Sequence, residues 1–217
     1  MTPRIVILSS PSGGGKTTIA RALAARRRDL GLSVSATTRR PRPGERDADA
    51  YHFVSAAEFE RRVVAGEFLE WAEYAGARYG TLRAEVEALR AAGRHAVLDI
   101  DVQGARQVRA QVPPEDVIAI FVLPPDAAVW RARLRERRTE SAAALAQRFD
   151  TAVREIAAAG EYEHMVVNED LESTVAQVAT IIDSGGTPPW RPADWRERIA
   201  ALRDAAIAAR SVPGGAS

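Results

Sequence analysis

The 217-residue chain has no cysteine, which excludes a disulfide framework, a thiolate metal site and a thiol nucleophile. Nor does it have a long apolar run. Ile5 to Leu8 and Val117 to Leu123 are the longest strongly apolar stretches, far short of the roughly 18–20 residues that cross a bilayer. With no apolar leader at the amino terminus, a cytoplasmic location and no membrane partner are expected. Charge of one sign is missing too: 30 Lys+Arg face 29 Asp+Glu, and so small a net field argues against general nucleic-acid binding. Lysine itself is nearly absent. Of the 30 cations only Lys16 is a lysine, so one position keeps a compact ammonium where every other carries a planar guanidinium fork.

What is present has the profile of a folded protein, 46% hydrophobic and 27% charged, at a length that suits one domain or a domain carrying a small insert. Arg4-Ile5-Val6-Ile7-Leu8 is a β-branched run that stops at Ser9-Ser10-Pro11-Ser12-Gly13-Gly14-Gly15-Lys16-Thr17-Thr18, after which Ile19 and Leu23 follow at helical spacing. Further strands are expected at Leu32 to Thr37, Ala96 to Ile100, Val117 to Leu123 and Met165 to Val167. Helices are expected at Leu82 to Ala92, Gly104 to Gln111, Asp126 to Arg137, Ala142 to Ala158 and Leu171 to Ile182. Such alternation predicts an α/β fold with a mainly parallel sheet flanked by helices, and the glycine loop with Lys16 and Thr17 between its first strand and helix makes the expected sheet one of the P-loop NTPase type.

Between Thr38 and Gly80 prolines, aromatics and charges replace the aliphatic runs, and the stretch reads as an inserted mixed α/β lobe. The expected organisation is a core of residues 1–37 and 82–183 with a helical lid at about 130–150, a lobe of residues 38–81, and a linker and helical tail over 184–217. In the tail Trp195, Ile199, Leu202 and Ile207 can share one helix face, for packing on the core or, as the lesser reading, on a second copy. Ser211 to Ser217 is expected to fray.

The strand, glycine loop and helix at the amino terminus carry chemistry. Successive backbone N–H groups of such a loop cradle an anion, helped by the helix dipole, and glycine lets a polyphosphate approach closely. Ser12, Gly13, Gly14, Gly15 and Thr18 are candidates for that cradle, with Lys16 between the β- and γ-phosphates and the Thr17 hydroxyl offered to Mg²⁺. The strict pattern is G-x-x-x-x-G-K-[ST], and Ser10 stands at its first glycine. His95-Ala96-Val97-Leu98-Asp99 is a hydrophobic strand ending in a carboxylate, the form of a Walker B element, so Asp99 is the second candidate for Mg²⁺.

A phosphoryl acceptor needs cations for its phosphate and hydrogen-bonding groups for what carries it. The inserted lobe has both: Arg39 and Arg42 beside Pro41, the hydroxyls of Tyr51 and Tyr79, and Glu70 and Thr81 as readers of a base edge. Guanine offers two N–H donors on one edge, which a carboxylate accepts in a fork, and adenine has no such pair.

At this point the sequence resembles the guanylate kinases. The resemblance rests on Ser33-Val34-Ser35-Ala36-Thr37-Thr38-Arg39-Arg40-Pro41-Arg42-Pro43-Gly44-Glu45, then Tyr51-His52-Phe53-Val54, Gly66-Glu67-Phe68-Leu69-Glu70-Trp71-Ala72, Tyr79-Gly80-Thr81 and Leu98-Asp99-Ile100-Asp101-Val102-Gln103-Gly104, in that order. It covers about residues 4 to 183. The resemblance implies that Ser35, Arg39, Arg42, Tyr51 and Tyr79 hold a GMP phosphate while Glu70, Thr81 and Asp101 recognise guanine. It also places Arg133, Arg137 and Arg148 in a lid that closes over the transferring group and excludes water. Arg138 stands where many of these kinases have glycine. Asn168 falls in the segment beside the adenine of ATP, although on its own it equally suits a helix cap before Leu171.

The reading that follows is transfer of the γ-phosphoryl group of ATP to GMP, with dGMP a candidate acceptor, Mg²⁺ as cofactor, and a monomer or small homo-oligomer as the working form. Domain closure over two bound nucleotides is expected. A related kinase of a sugar phosphate is the rival within enzymes, and a binding module that has lost catalysis is the rival outside them. His52, His95 and His164 share no metal-like spacing and read as structural.

Overall fold

A computed structural model describes residues 2–42, 44–49, 51–74, 76–135 and 142–210, the side chains of 135, 142–148 and 210 apart. Strand β1 (Ile5–Ser9) leads into α1 (Lys16–Arg26), and β2 (Leu30–Leu32), β3 (Ala36–Thr37), β4 (His52–Phe53), α2 (Ala56–Val64), β5 (Phe68–Tyr74) and β6 (Ala77–Leu82) follow. Then come α3 (Arg83–Ala91), β7 (His95–Asp99), α4 (Val102–Gln111), β8 (Val117–Leu123), α5 (Ala127–Arg135), α6 (Ala142–Ala157), β9 (His164–Val167), α7 (Leu171–Asp183) and α8 (Trp195–Arg210). A five-stranded sheet has the order β2-β7-β1-β8-β9 and a four-stranded sheet the order β4-β3-β6-β5. The β2–β7 and β8–β9 pairs are parallel, as expected where helices connect the strands. The α/β architecture, a parallel sheet flanked by helices, is the one the sequence pattern predicts.

The chain divides into two compact units, residues 1–7 with 23–118 and residues 8–22 with 119–217. In the first, Leu30, Ala96, Val97, Leu98 and Val108 are fully buried or nearly so. Its four-stranded sheet has a small core of its own, Ala36, Phe59 and Phe68 with Val54, Val63 and Leu82 packed against them, and the Phe59 and Phe68 rings stack at 4.5 Å. The elements within residues 52–82 have no aliphatic runs to mark them. Two phenylalanines do the packing that valines and leucines do elsewhere.

One expected strand is corrected here. Leu32 to Thr37 is not a single strand: Leu30–Leu32 belongs to the five-stranded sheet and Ala36–Thr37 to the four-stranded one. The chain changes sheets between them. Ser33 N–H still follows β7 by donating to Val97 O at 3.0 Å, and Ser35 O already accepts from His52 N–H at 3.0 Å. At the crossing, Val34 N–H donates to the Glu85 carboxylate at 3.1 Å, and the other oxygen of Glu85 lies 2.7 Å from His52 Nε2. An apolar alternation cannot reveal such a switch, because both halves are extended.

In the second unit Ile120, Phe121, Val122, Leu123, Met165 and Val166 fill the β8–β9 core. α8 packs on α6 and α5, and Arg198 ties it to Pro125 O at 2.9 Å. Its buried face carries Leu202 and Ala206, while Ile207 is 48% exposed. That corrects the expected face: at 100° per residue, five residues carry Ile207 about 140° around the helix from Leu202, whereas four bring Ala206 to within about 40°. Met165 N–H donates to Trp190 O at 2.6 Å, so the segment before α8 satisfies part of β9. His164 accepts from Trp190 N–H, and His95 accepts from Arg4 N–H. Burial lowers the pKa of both, which suits imidazoles that act as neutral acceptors. No helix of the described residues is long and apolar enough to cross a membrane. The expected fraying of Ser211 to Ser217 lies outside the described residues.

Candidate active site

The donor half lies in the second unit. Between β1 and α1 the chain turns through Gly13 and Gly15, both with left-handed backbone, φ +83° and +94°, which a side chain would strain. Among the described residues Ala48 is the non-glycine with positive φ, so Ser10 needs no such freedom. Its side chain is buried and donates to Pro11 O at 3.0 Å, which accommodates the departure from the glycine pattern. Gly14 N–H also turns inward, to Pro11 O at 2.8 Å. Lys16 and Thr17 open α1, Lys16 half-buried and Thr17 and Thr18 exposed.

Asn168, at the end of β9, reaches back to this loop. Its Nδ2 donates to Gly14 O at 2.9 Å and would collide with any Cβ at Gly15, while its own N–H donates to Leu123 O at 2.8 Å. It does not cap α7. Asp170 does, its carboxylate accepting from Ser173 N–H at 2.9 Å. A cleft of about 290 Å³ opens beside the loop, lined by Gly13, Gly15, Thr18, Arg133 and residues 168–171. Arg133, on α5, is thereby at the loop. Arg137 and Arg138 lie outside the described residues, and Arg148 falls on α6 with its side chain outside the description.

Two groups that sequence reasoning missed hold Ser12. The Glu155 carboxylate on α6 accepts from Ser12 N–H at 3.0 Å, and the Trp130 indole N–H on α5 donates to Ser12 O at 2.8 Å. Glu155 is 4% exposed and Trp130 fully buried. Glu155 had a signal: it stands among Phe149, Ala152 and Ile156 on the buried stripe of α6, where an unpaired carboxylate would be costly.

The acceptor half lies in the first unit. β5 pairs antiparallel with β6, Glu70 opposite Thr81 and Ala72 opposite Tyr79, with a register shift between Phe68 and Glu70. Such a bulge re-aims side chains, and Phe68, Leu69 and Glu70 are buried in succession. Glu70 is 4% exposed and accepts from Thr81 N–H at 2.9 Å and from Thr81 Oγ1 at 2.6 Å. Gly104 has no room for a Cβ because the Glu70 carboxylate occupies it. Burial, seconded by the charge of Asp101 and opposed by the Thr81 hydrogen bonds, pushes the Glu70 carboxyl up to about 7. Asp101 caps α4, its Oδ1 accepting from Gln103 N–H at 3.0 Å and Gly104 N–H at 2.8 Å.

The cationic cluster forms around Arg39. Its guanidinium lies 5.3 Å over the Tyr51 ring, Tyr51 meets Tyr79 edge to face at 5.8 Å, and Glu45, also missed, accepts from Arg39 Nη2 at 2.9 Å and from Arg42 N–H at 2.8 Å. Burial works to lower the Arg39 pKa, but Glu45 and Tyr79 carry it above its ordinary value. Ser35 is half-buried where the chain enters β3, and the Arg42 side chain is exposed. Tyr79 and Thr81 are two apart on β6 and so face the same way, roughly 7 Å apart along the strand. The structure thus brings together Arg39, Tyr51 and Tyr79, and beside them Glu70, Thr81 and Asp101.

A strand, a glycine loop and a helix in a parallel α/β sheet make the arrangement that suits an anion or mononucleotide. Comparison of sequences and structures is more specific. The profile described as guanylate kinase matches residues 2–185. The guanylate kinase of Symbiobacterium thermophilum is 47% identical over 178 residues, 82% of this chain and 83% of the relative. That of Thermosynechococcus vestitus is 46% identical over 181 residues, 83% and 94%. The crystal structure of guanylate kinase from Anaplasma phagocytophilum superposes with a TM-score of 0.71 at 34% identity, covering 90% of this chain and 93% of that one. The chain belongs to the guanylate kinase family, the ATP:GMP phosphotransferases.

Proposed function

We propose that the chain transfers the γ-phosphoryl group of ATP to GMP in line, with no covalent enzyme intermediate, each nucleotide held by one of the two halves described above. An oxygen of the GMP phosphate attacks the γ-phosphorus. The bond to the β,γ-bridging oxygen breaks, and ADP departs with that electron pair. The protein contributes alignment and charge stabilisation.

On the donor side the reading assigns the polyphosphate to the loop of residues 12–18, with Lys16 on the β- and γ-oxygens and Arg133 over the cleft; Arg137 and Arg148 join it by resemblance. The adenosine end lies along residues 168–171. Thr17 offers a hydroxyl and Asp99 a carboxylate, each the kind of hard oxygen ligand that would suit Mg²⁺. When bound, it neutralises charge on the β- and γ-phosphates.

The acceptor side carries the reading. Tyr79, gathered with Arg39 and Tyr51, and Thr81, bonded to Glu70, project from the same face of β6. The proposed phosphate reader and base reader therefore stand on one face of the same strand. Ser35 and Arg42 complete the phosphate contacts, and Glu70 with Asp101 accepts the two guanine donors. The test is ADP release from Mg-ATP with GMP, dGMP, AMP, UMP, CMP, a sugar phosphate and no acceptor in parallel. A response confined to the guanine nucleotides is expected, since a hydrogen-bonding pocket discriminates by roughly 10⁴-fold. An equal response to AMP, or one only to the sugar phosphate, would remove the base-reader assignment.

A further inference from the structure

The assignment of the loop leaves two buried polar groups without a role. Glu155 is a carboxylate on the apolar stripe of α6, Trp130 an indole on α5, and both end on one residue of the loop, Ser12. One takes its N–H and the other supplies its carbonyl. Neither reaches a phosphate through those atoms, which are engaged by Ser12. The loop needs external fixing, because Gly13 and Gly15 have left-handed backbone and glycines lose the most conformational freedom on ordering. Beyond Ser12 the loop is held again: Asn168 Nδ2 bonds Gly14 O, and Leu134 lies 3.5 Å from where a Gly13 Cβ would be.

We propose that Glu155 is a positioning residue for the donor nucleotide, acting with Trp130 as a two-sided clasp that sets the two peptide groups flanking Ser12 and, through them, the backbone cradle that follows. The inference rests on the reading of residues 12–18 as the ATP site and deepens it. The clasp ties that cradle to both α5 and α6, so the helices carrying Arg133 and Arg148 are joined to the loop through one residue, Ser12.

The test is calorimetric titration of the full chain with the Mg²⁺ complex of a non-hydrolysable ATP analogue and, separately, with GMP, for the native chain, Glu155→Leu, Glu155→Gln and Trp130→Phe. Glu155→Leu strands the Ser12 N–H and is expected to weaken the ATP analogue about tenfold or more while leaving GMP within about twofold. Glu155→Gln keeps an acceptor without the charge and is expected to recover most of that loss. Trp130→Phe, which keeps the ring and removes the donor, is expected to weaken the ATP analogue about threefold. Unchanged ATP-analogue affinity in Glu155→Leu, or an equal loss for both ligands, overturns the clasp. If Glu155→Leu does not fold, Trp130→Phe decides alone, and an unchanged affinity there overturns it. Should the native chain fail to bind the ATP analogue at all, the loop assignment fails, which is a different result.

Discussion

The two halves of the candidate site are built, for the same proposed task of holding a phosphorylated nucleotide, from different material. The donor half is made of backbone: a glycine loop whose peptides are pinned from outside by Glu155, Trp130 and Asn168. The acceptor half is made of side chains whose charges already have internal partners, Arg39 with Glu45 and Glu70 with Thr81. A backbone cradle is a fixed dipole array that does not titrate. Side-chain readers can discriminate one base from another, but they depend on protonation and on what else competes for them. Chemical power should therefore concentrate in the donor half, and specificity and pH dependence in the acceptor half.

The largest break in that comparison is expected from Lys16→Ala. Removing the lone charged side chain of the loop should lower kcat by about 10²-fold or more, the scale for one preorganised electrostatic group, with an unchanged melting curve. Steady-state kinetics showing near-native turnover would shift the chemical burden elsewhere. Next comes Glu70→Gln. It replaces an acceptor pair by an amide that itself donates, and should cut kcat/KM for GMP roughly 10–100-fold, the value of hydrogen bonds to a charged group, while KM for ATP stays put.

The pH profile sharpens the same contrast. Burial and then Asp101 place the Glu70 carboxyl at about 7, against an ordinary value of 4.5. The folded state therefore holds the extra proton between those values, and this group's contribution to stability falls as pH rises from 4.5 through 7. On the proposed assignment of Glu70 to guanine, GMP binding runs the other way, because two N–H donors call for the ionised carboxylate. KM for GMP should rise roughly tenfold between pH 8 and pH 6, one decade per unit below the pKa. The phosphate of GMP also titrates near 6, so the Glu70→Gln profile is the control: the part of the pH effect lost in that variant belongs to Glu70. The smallest catalytic effect is expected from Leu202→Ala, in the face of α8 that packs on α6 and α5. It should cost about 2–4 kcal/mol of stability and lower Tm by roughly 5–15 °C, with kcat within about twofold, as a thermal melt beside an assay would show.

Much of this was legible in advance for local reasons. β8 falls on Val117–Leu123 as expected because seven consecutive apolar residues suit a strand buried on both faces. Asp99 ends β7 and Lys16 begins α1, where a strand-end carboxylate and a lysine after glycines indicate them. The break in the aliphatic pattern after Thr38 was legible, but the elements there were not: Ala36, Phe59 and Phe68 come from three separate segments, and only packing makes them a core.

By itself, then, the sequence determined the periodic elements, the glycine loop between the first strand and helix, the order of the motifs that mark the family and the exclusion of thiol chemistry. All of these depend on residue type and short spacing. The tertiary structure alone decided the sheet switch between Leu32 and Ala36, the buried state of Glu70, the pairing of Arg39 with Glu45, the cap at Asp170 instead of Asn168, and the clasp on Ser12. Glu155 and Ser12 are 143 positions apart. Contacts of that range are set by how helices and strands stack, which no local pattern of residues encodes.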